Sequence, residues 1–480
     1  MQDLMSSAVM GIKNHGSLQT VCVELVVGSR LTVRRPPAAL AEKLITTFQM
    51  VNPVWTENQK AGRWNGDTDR VLEFYTRQSD GTIIVPRGAL GLVAWLARQC
   101  GCRWRLTDRR RTLPDVSSVF TGHLKPYQVR AVEELGRRDF GFLQAPTGAG
   151  KTVMALSLIA KRRQPALIVV HTRELVDQWV QRIETFLGLP RDQIGVVGDG
   201  RLDIGRSLTV ATVQSLYKVA PDVAPHVGHL IVDECHRCPS RTFTKAITSF
   251  DCRYMLGLSA TPWRRDGLTK LIAWHLGRKV EVDRSELGAD DLIFNVEVIE
   301  RLTDFDTDLD ASEQYVQVVA ELTQDADRNE MIADDVATEA TGHEGVCLVL
   351  SDRKSHCETL RDLIEQRGVR TDVLTGDLSK SVRTAVVERV RAGEVPVLVA
   401  TAQLIGEGFD AKSLRCLFLT TPMTFDGRVL QALGRILRPA PGKATARVFD
   451  YVDERIGVLK HAARRRRRVY ADLAVGSHKE

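Results

Sequence analysis

The run A-P-T-G-A-G-K-T, Ala145 to Thr152, stands between an apolar stretch of strand length, Phe140 to Gln144, and an amphipathic stretch of helical length, Val153 to Lys161. Strand, glycine-rich loop and helix in that order constrain the fold more than any other feature of the chain. Such a loop surrounds phosphates with backbone N–H groups at the mouth of a helix. Gly148 and Gly150 permit close approach, Lys151 would neutralise β- and γ-phosphate charge, and the Thr152 hydroxyl would hold Mg²⁺. Ala145, Pro146, Thr147, Gly148, Ala149, Gly150, Lys151 and Thr152 are therefore the candidate nucleotide-binding set. The strict pattern begins with Gly, and this chain departs from it at Ala145.

The texture around that loop is of short apolar runs alternating with amphipathic helices. Ala166–His171, Leu208–Ala211, Leu230–Asp233 and Tyr254–Ser259 have the length and composition of strands buried on both faces, which predicts a doubly wound parallel sheet. The same rhythm returns at Val346–Leu350, Thr371–Leu374, Val397–Thr401, Cys416–Thr420 and Ala446–Tyr451, so a second α/β domain is expected in tandem. Residues 1–120 read differently, as a small α+β unit. Thr20–Val27 and Leu31–Arg34 flank a Gly28-Ser29 turn, Val71–Thr76 and Thr82–Val85 flank an Asp80-Gly81 turn, and Leu90–Arg98 has helical spacing. The expected divisions are 1–120, 121–285, an acidic connecting segment 286–340, 341–458, and a basic tail 459–480.

At 480 residues, with 43% apolar and 26% charged side chains, the chain has room for several cored domains and excludes disordered and disulfide-scaffold classes. Nine cysteines, mostly inside apolar runs, predict reduced core thiols; neither Cys100/Cys102 nor Cys235/Cys238 with His236 gives two properly spaced zinc pairs. No apolar run approaches the ~20 residues that span a bilayer and no export signal is legible, so a cytoplasmic location without membrane partners is expected. Charge is segregated. Residues 1–120 carry 16 Lys/Arg against 10 Asp/Glu, residues 283–345 carry 3 against 19, and residues 460–480 carry 7 against 2. Basic ends suit a polyanionic partner. Trp55, Trp64, Trp95 and Trp104, interleaved with arginines, could stack on bases, although tryptophan in a small domain more commonly fills a core.

Two further patterns bear on chemistry. The strand Leu230–Val232 ends in D-E-C-H: Asp233 would hold magnesium and Glu234 would orient and deprotonate an attacking water. In the second α/β domain, Q-A-L-G-R-I-L-R-P places Arg435 and Arg438 on one helical face among Leu433, Ile436 and Leu437. Two such arginines from another domain can stabilise charge on a transferring phosphoryl group.

Assembled, these residues resemble a superfamily 2 helicase of the DEAD/DEAH type over about residues 123–455. The resemblance implies two tandem RecA-like P-loop domains with parallel sheets after the α+β N-terminal domain, and ATP and Mg²⁺ as cofactors. It implies that Gln128 in L-K-P-Y-Q contacts the base and that Asp410 faces the ribose. Thr172 and Arg173 in H-T-R-E-L-V-D-Q-W, Thr212 in A-T-V-Q-S-L, Arg264, Thr375 and Thr401 would touch nucleic acid. Ser259, Ala260 and Thr261 in S-A-T-P, with Gln431, would couple the two activities. The wording T-R-E-L-V-D-Q-W and Q-x-L-G-R-x-L-R-P is most similar to XPB-type repair helicases and phage branch-migration relatives, which makes DNA, single-stranded or branched, the expected partner ahead of RNA. Where XPB-type enzymes carry Arg-Glu-Asp, this chain has Arg264-Arg265-Asp266. Relatives place an accessory DNA-binding domain where residues 1–120 lie.

Overall fold

The computed structural model describes residues 21–60, 62–146, 148–198, 200–237, 244, 246–260, 269–287, 295–342, 345–401, 414–423 and 445–474. The chain divides into two compact units, Met1–Asp283 and Arg284–Glu480.

The first unit holds two main sheets. The smaller has five strands in the order Thr76–Arg77, Ile83–Val85, Leu31–Arg34, Cys22–Val27 and Arg103–Asp108. Alternation sets its faces: Val23, Leu25 and Val27 are buried with Leu40 and Leu44 of helix Ala38–Thr47, while Glu24 pairs across the outer face with Arg34 and Arg105. The Gly28-Ser29 hairpin forms as the sequence suggests. The second hairpin is shorter than expected. Asp80 takes the Thr82 N–H and hydroxyl into an Asx turn, but only Thr76–Arg77 pairs with Ile83–Val85. Val71–Glu73 instead joins Gln49–Val51 in a separate two-stranded ribbon, which the Phe74 N–H extends by donating to Phe48 O.

The larger sheet has eight strands, ordered Arg201–Leu202, Gly195–Gly198, Leu208–Thr212, Ala166–Val170, His229–Val232, Tyr254–Ser259, Phe140–Gln144 and Arg278–Glu281, all parallel except the first. Helices cover both faces, so Ala166–Val170 is buried throughout and reads as an unbroken apolar run. Gly195–Gly198 and Arg278–Glu281 escape the sequence reading, since the glycines of one and the charges of the other mask the apolar signal.

The second unit is built on six parallel strands in the order Asn295–Leu302, Thr445–Val452, Leu414–Leu419, Val346–Ser351, Val397–Thr401 and Thr371–Leu374. Residues 286–340 are more than a connection. They supply the outer strand Asn295–Leu302, paired along its length with Thr445–Val452, and helix Ala326–Gly342, whose Ile332, Ala333 and Val336 are fully buried. Exposed Glu297 and Glu300 interrupt the apolar residues of that strand and conceal it. No helix among the described residues is long and apolar enough to cross a membrane.

The basic C-terminal run is also part of the fold. Helix Gly457–Ala474 buries Arg466, whose Nε donates to both carboxylate oxygens of Asp450 at 2.9 Å while the Tyr470 hydroxyl donates to Oδ2 at 2.9 Å. Arg464 and Arg465 remain exposed. Truncating one partner of a buried ion pair strands the other, so Arg466→Ala is expected to cost about 3–5 kcal/mol and Arg464→Ala less than about 0.5 kcal/mol. Denaturant melts of the two variants check this.

Candidate active site

In a parallel sheet the strands deliver their following residues to one edge. In the first unit that carboxyl edge collects the phosphate-type loop after Gln144, the segment after Val170, the acids after Val232 and the Ser259-Ala260 pair. Gly148 and Gly150 adopt φ of 89° and 79°, a region that glycine enters without strain. Gly150 caps helix Lys151–Arg162, whose first turn carries half-buried Thr152. The Lys151 ammonium donates to the Ala145 and Pro146 carbonyls at 2.9 and 3.1 Å, and the Ala145 N–H donates to Ser259 O at 3.1 Å. A phosphate oxygen is a stronger acceptor for that ammonium than either carbonyl.

Gln128 sits in the first turn of helix Pro126–Gly136. Its carbonyl accepts the Lys125 N–H at 2.9 Å and its amide donates to Ala149 O at 3.0 Å, joined by the Tyr127 hydroxyl at 3.3 Å. The residue expected to contact a base is thus bonded to the loop itself. The other end of the same helix is held by Arg162, which donates to Leu135 O and Arg138 O at 3.2 and 2.7 Å, contacts His229 Nε2 at 2.7 Å and lies 4.6 Å from the Tyr254 ring centre. Burial lowers the Arg162 pKa to about 10.

Asp233 accepts the Trp179 indole N–H at 2.8 Å and the Glu234 N–H at 2.9 Å. Burial, and then the neighbouring Glu234 carboxylate, push its pKa upward, more than Trp179 and Lys151 pull it down. Such a carboxyl gains from a cation. Among the described residues no cluster of three or more His, Cys, Asp or Glu side chains could cage a metal. Mg²⁺, which keeps waters and phosphate oxygens as most of its ligands, needs no such cage, and a buried carboxylate and a half-buried hydroxyl at the same sheet edge are donors of the kind it takes.

Glu234 has φ of 48°, one of three non-glycine residues there among those described, and such strain concentrates where surroundings impose it. His236 Nδ1 lies 3.2 Å from Glu234 Oε2 and 3.1 Å from Ser259 Oγ, and Ser259 is 1% exposed. One imidazole therefore spans from the acid to the serine, while half-buried Ala260 follows. Neither His236 nor Trp179 stood out in the sequence as part of this arrangement; only D-E-C-H and the nine-residue motif containing Trp179 marked their neighbourhoods.

Thr172 caps helix Arg173–Leu187 by accepting the Leu175 N–H at 3.4 Å, with Arg173 exposed beside it. Thr212 stands before helix Val213–Val223 and donates to Ser215 Oγ at 3.1 Å. In the second unit, Thr401 ends its strand, and Thr375, 7% exposed, follows Leu374, which pairs with Ala400; both threonines reach the carboxyl edge of that sheet. Thr147, Thr261, Arg264, Asp410, Gln431, Arg435 and Arg438 lie outside the described residues. A Cβ at Gly150 would fall 2.4 Å from Gln128 Nε2 at a left-handed φ. Gly150→Ala is therefore expected to break the Gln128–Ala149 bond and cost about 1–3 kcal/mol, read as a lowered melting temperature.

Residues 121–264 match the family model described as type III restriction enzyme, res subunit, and residues 328–440 match the helicase conserved C-terminal domain. The chain is 25% identical over 358 residues to "Probable helicase D10" of Escherichia phage T5, covering 73% of this chain and 76% of that one. It is 26% identical over 357 residues to the DNA 3′-5′ translocase XPB2 of Sulfurisphaera tokodaii, covering 66% and 78%. In fold it is similar to a fragment of an HsdR subunit of a type I restriction enzyme from Vibrio vulnificus, with TM-score 0.54 and 18% identity over 69% of this chain and 64% of that one. With both helicase models matched in order, and XPB-type and phage helicases among its relatives, the chain belongs to the superfamily 2 helicases.

Proposed function

We propose that the chain is a nucleic-acid-stimulated ATPase that couples ATP hydrolysis to movement along DNA. The observation that carries this reading is the gathering of Lys151, Asp233, Glu234 and Ser259 at one sheet edge, with His236 bridging acid and serine. The loop amides and Lys151 bind the triphosphate, and Gln128 with Asp410 holds the nucleoside. Thr152 and Asp233 would hold Mg²⁺, which when bound neutralises charge developing on the phosphoryl oxygens. Glu234 orients the attacking water and accepts its proton. Arg435 and Arg438 stabilise the transferring group, and Gln431 with Ser259, Ala260 and Thr261 relays its state.

DNA is the favoured track because the DNA 3′-5′ translocase XPB2 is among the relatives. Thr172, Arg173, Thr212, Arg264, Thr375 and Thr401 take backbone phosphates, helped by Arg34, Arg103 and Arg105, exposed on the N-terminal sheet. The word translocase in that name favours a second reading, movement along DNA without net unwinding, as in branch migration or annealing. Strand displacement assayed beside fork regression separates the two.

Lys151→Ala, Glu234→Gln and Arg435→Ala are each expected to lower DNA-stimulated ATP turnover by about 10²-fold or more while leaving the chain folded. Turnover measured on single-stranded, forked, duplex and RNA cofactors tests the role of each residue and the choice of track. DNA affinity is expected to fall linearly in log–log form with salt and to vary little with sequence, which anisotropy titrations at several salt concentrations check.

A further inference from the structure

Helix Thr269–Leu276 belongs to two cores at once. Leu271 and Trp274, one turn apart, are 1% and 6% exposed and lie among the apolar side chains of the N-terminal sheet. Ile272 and Leu276 lie in the core of the eight-stranded sheet. The Trp274 ring centre is 5.1 Å from Phe48 and 5.5 Å from Phe74, both in tilted contact. The turn that ends this helix is in backbone contact with the N-terminal domain, since a Cβ at Gly88 would fall 2.6 Å from Gly277 N and from the His275 carbonyl.

Two arginines fasten the same domain to the starts of two strands. Buried Arg87 donates to Cys252 O at 2.8 Å and lies 5.2 Å from the Phe140 ring centre. Arg110 lies 4.9 Å from that ring, donates to Arg253 O at 3.2 Å and pairs with Asp139 at 2.8 Å. Phe140 and Tyr254 begin the strands whose other ends carry the Ala145 loop and Ser259. From Ser259 the chain reaches Thr269 within ten residues. Close-packed side chains shared by two cores cannot follow one without disturbing the other.

Resting on the motor reading above, we propose that Trp274 is a positioning residue that ties the eight-stranded sheet, at whose edge Ser259 stands, to the N-terminal domain. Nucleic acid engaged by that domain then sets ATP turnover through the Ser259–His236–Glu234 chain. The linkage is mechanical, through a helix that both cores hold, and needs no contact between Trp274 and nucleotide or nucleic acid.

The full chain is assayed for ATP turnover with and without a forked DNA duplex, in the native form and as Trp274→Ala, Trp274→Phe, Gly88→Ala and Leu31→Ala. Leu31 fills the same N-terminal core on a different strand and reports simple loss of stability there. Trp274→Ala and Gly88→Ala are expected to keep the basal rate and the KM for ATP within about twofold but to lose about tenfold or more of the DNA-stimulated kcat, with Phe restoring most of it. Leu31→Ala is expected to lower the melting temperature and keep the stimulation. Retained stimulation in folded Trp274→Ala or Gly88→Ala overturns the proposal, as does an equal loss in Leu31→Ala. Should Trp274→Ala not fold, Gly88→Ala alone decides. A native chain with no nucleic-acid stimulation at all defeats the motor reading instead.

Discussion

Parallel strands cannot be joined by tight turns, and each must be followed by a crossover before the next begins. Every strand of such a sheet therefore hands its next residues to the same edge, and the first unit depends on that constraint. Four separated segments, beginning at Ala145, His171, Asp233 and Ser259, come together although more than a hundred residues separate the first from the last. Burial on both faces holds the strands in register. At the edge that packing gives way to polar groups with fixed partners: Lys151 on carbonyls, Asp233 on an indole, Ser259 on an imidazole.

That edge gathers two neighbouring acids, Asp233 and Glu234, into a buried place, and burial alone raises the cost of keeping Asp233 ionised. The positive backbone angle of Glu234 adds conformational strain to the same two residues. Both costs fall on adjacent residues at one edge of an otherwise close-packed sheet, whose buried strands can sustain them.

Much of the architecture was legible in the sequence because buried parallel strands leave unmistakable apolar runs. What escaped notice did so for physical reasons. Asn295–Leu302 breaks its apolar residues with Glu297, Glu300 and Arg301 inside a strongly acidic stretch, so neither an unbroken apolar run nor a clean alternation marks it as a strand. The arginine run at the C-terminus reads as a basic tail suited to a polyanion, yet helical geometry turns Arg466 inward to Asp450 while Arg464 and Arg465 face water. At the candidate site, motif residues could be named but not their partners. His236 spans two motifs 23 residues apart, and Trp179 reaches Asp233 from a helix that sequence alone associates with nucleic acid. Such pairings depend on the relative heights of neighbouring strands, which spacing along the chain does not encode.

Helix Pro126–Gly136 is fixed at both ends to the segment that follows the first strand: its opening turn through Gln128 to Ala149, its closing turn through Leu135 to Arg162. Arg162 ends the very helix that Lys151 begins. The two helices thus form a closed frame, and the span between whatever Gln128 touches and whatever Lys151 touches is that of a rigid caliper. A push at the frame's Arg162 corner is therefore carried to the loop at Ala149 through two braced helices instead of being absorbed between them.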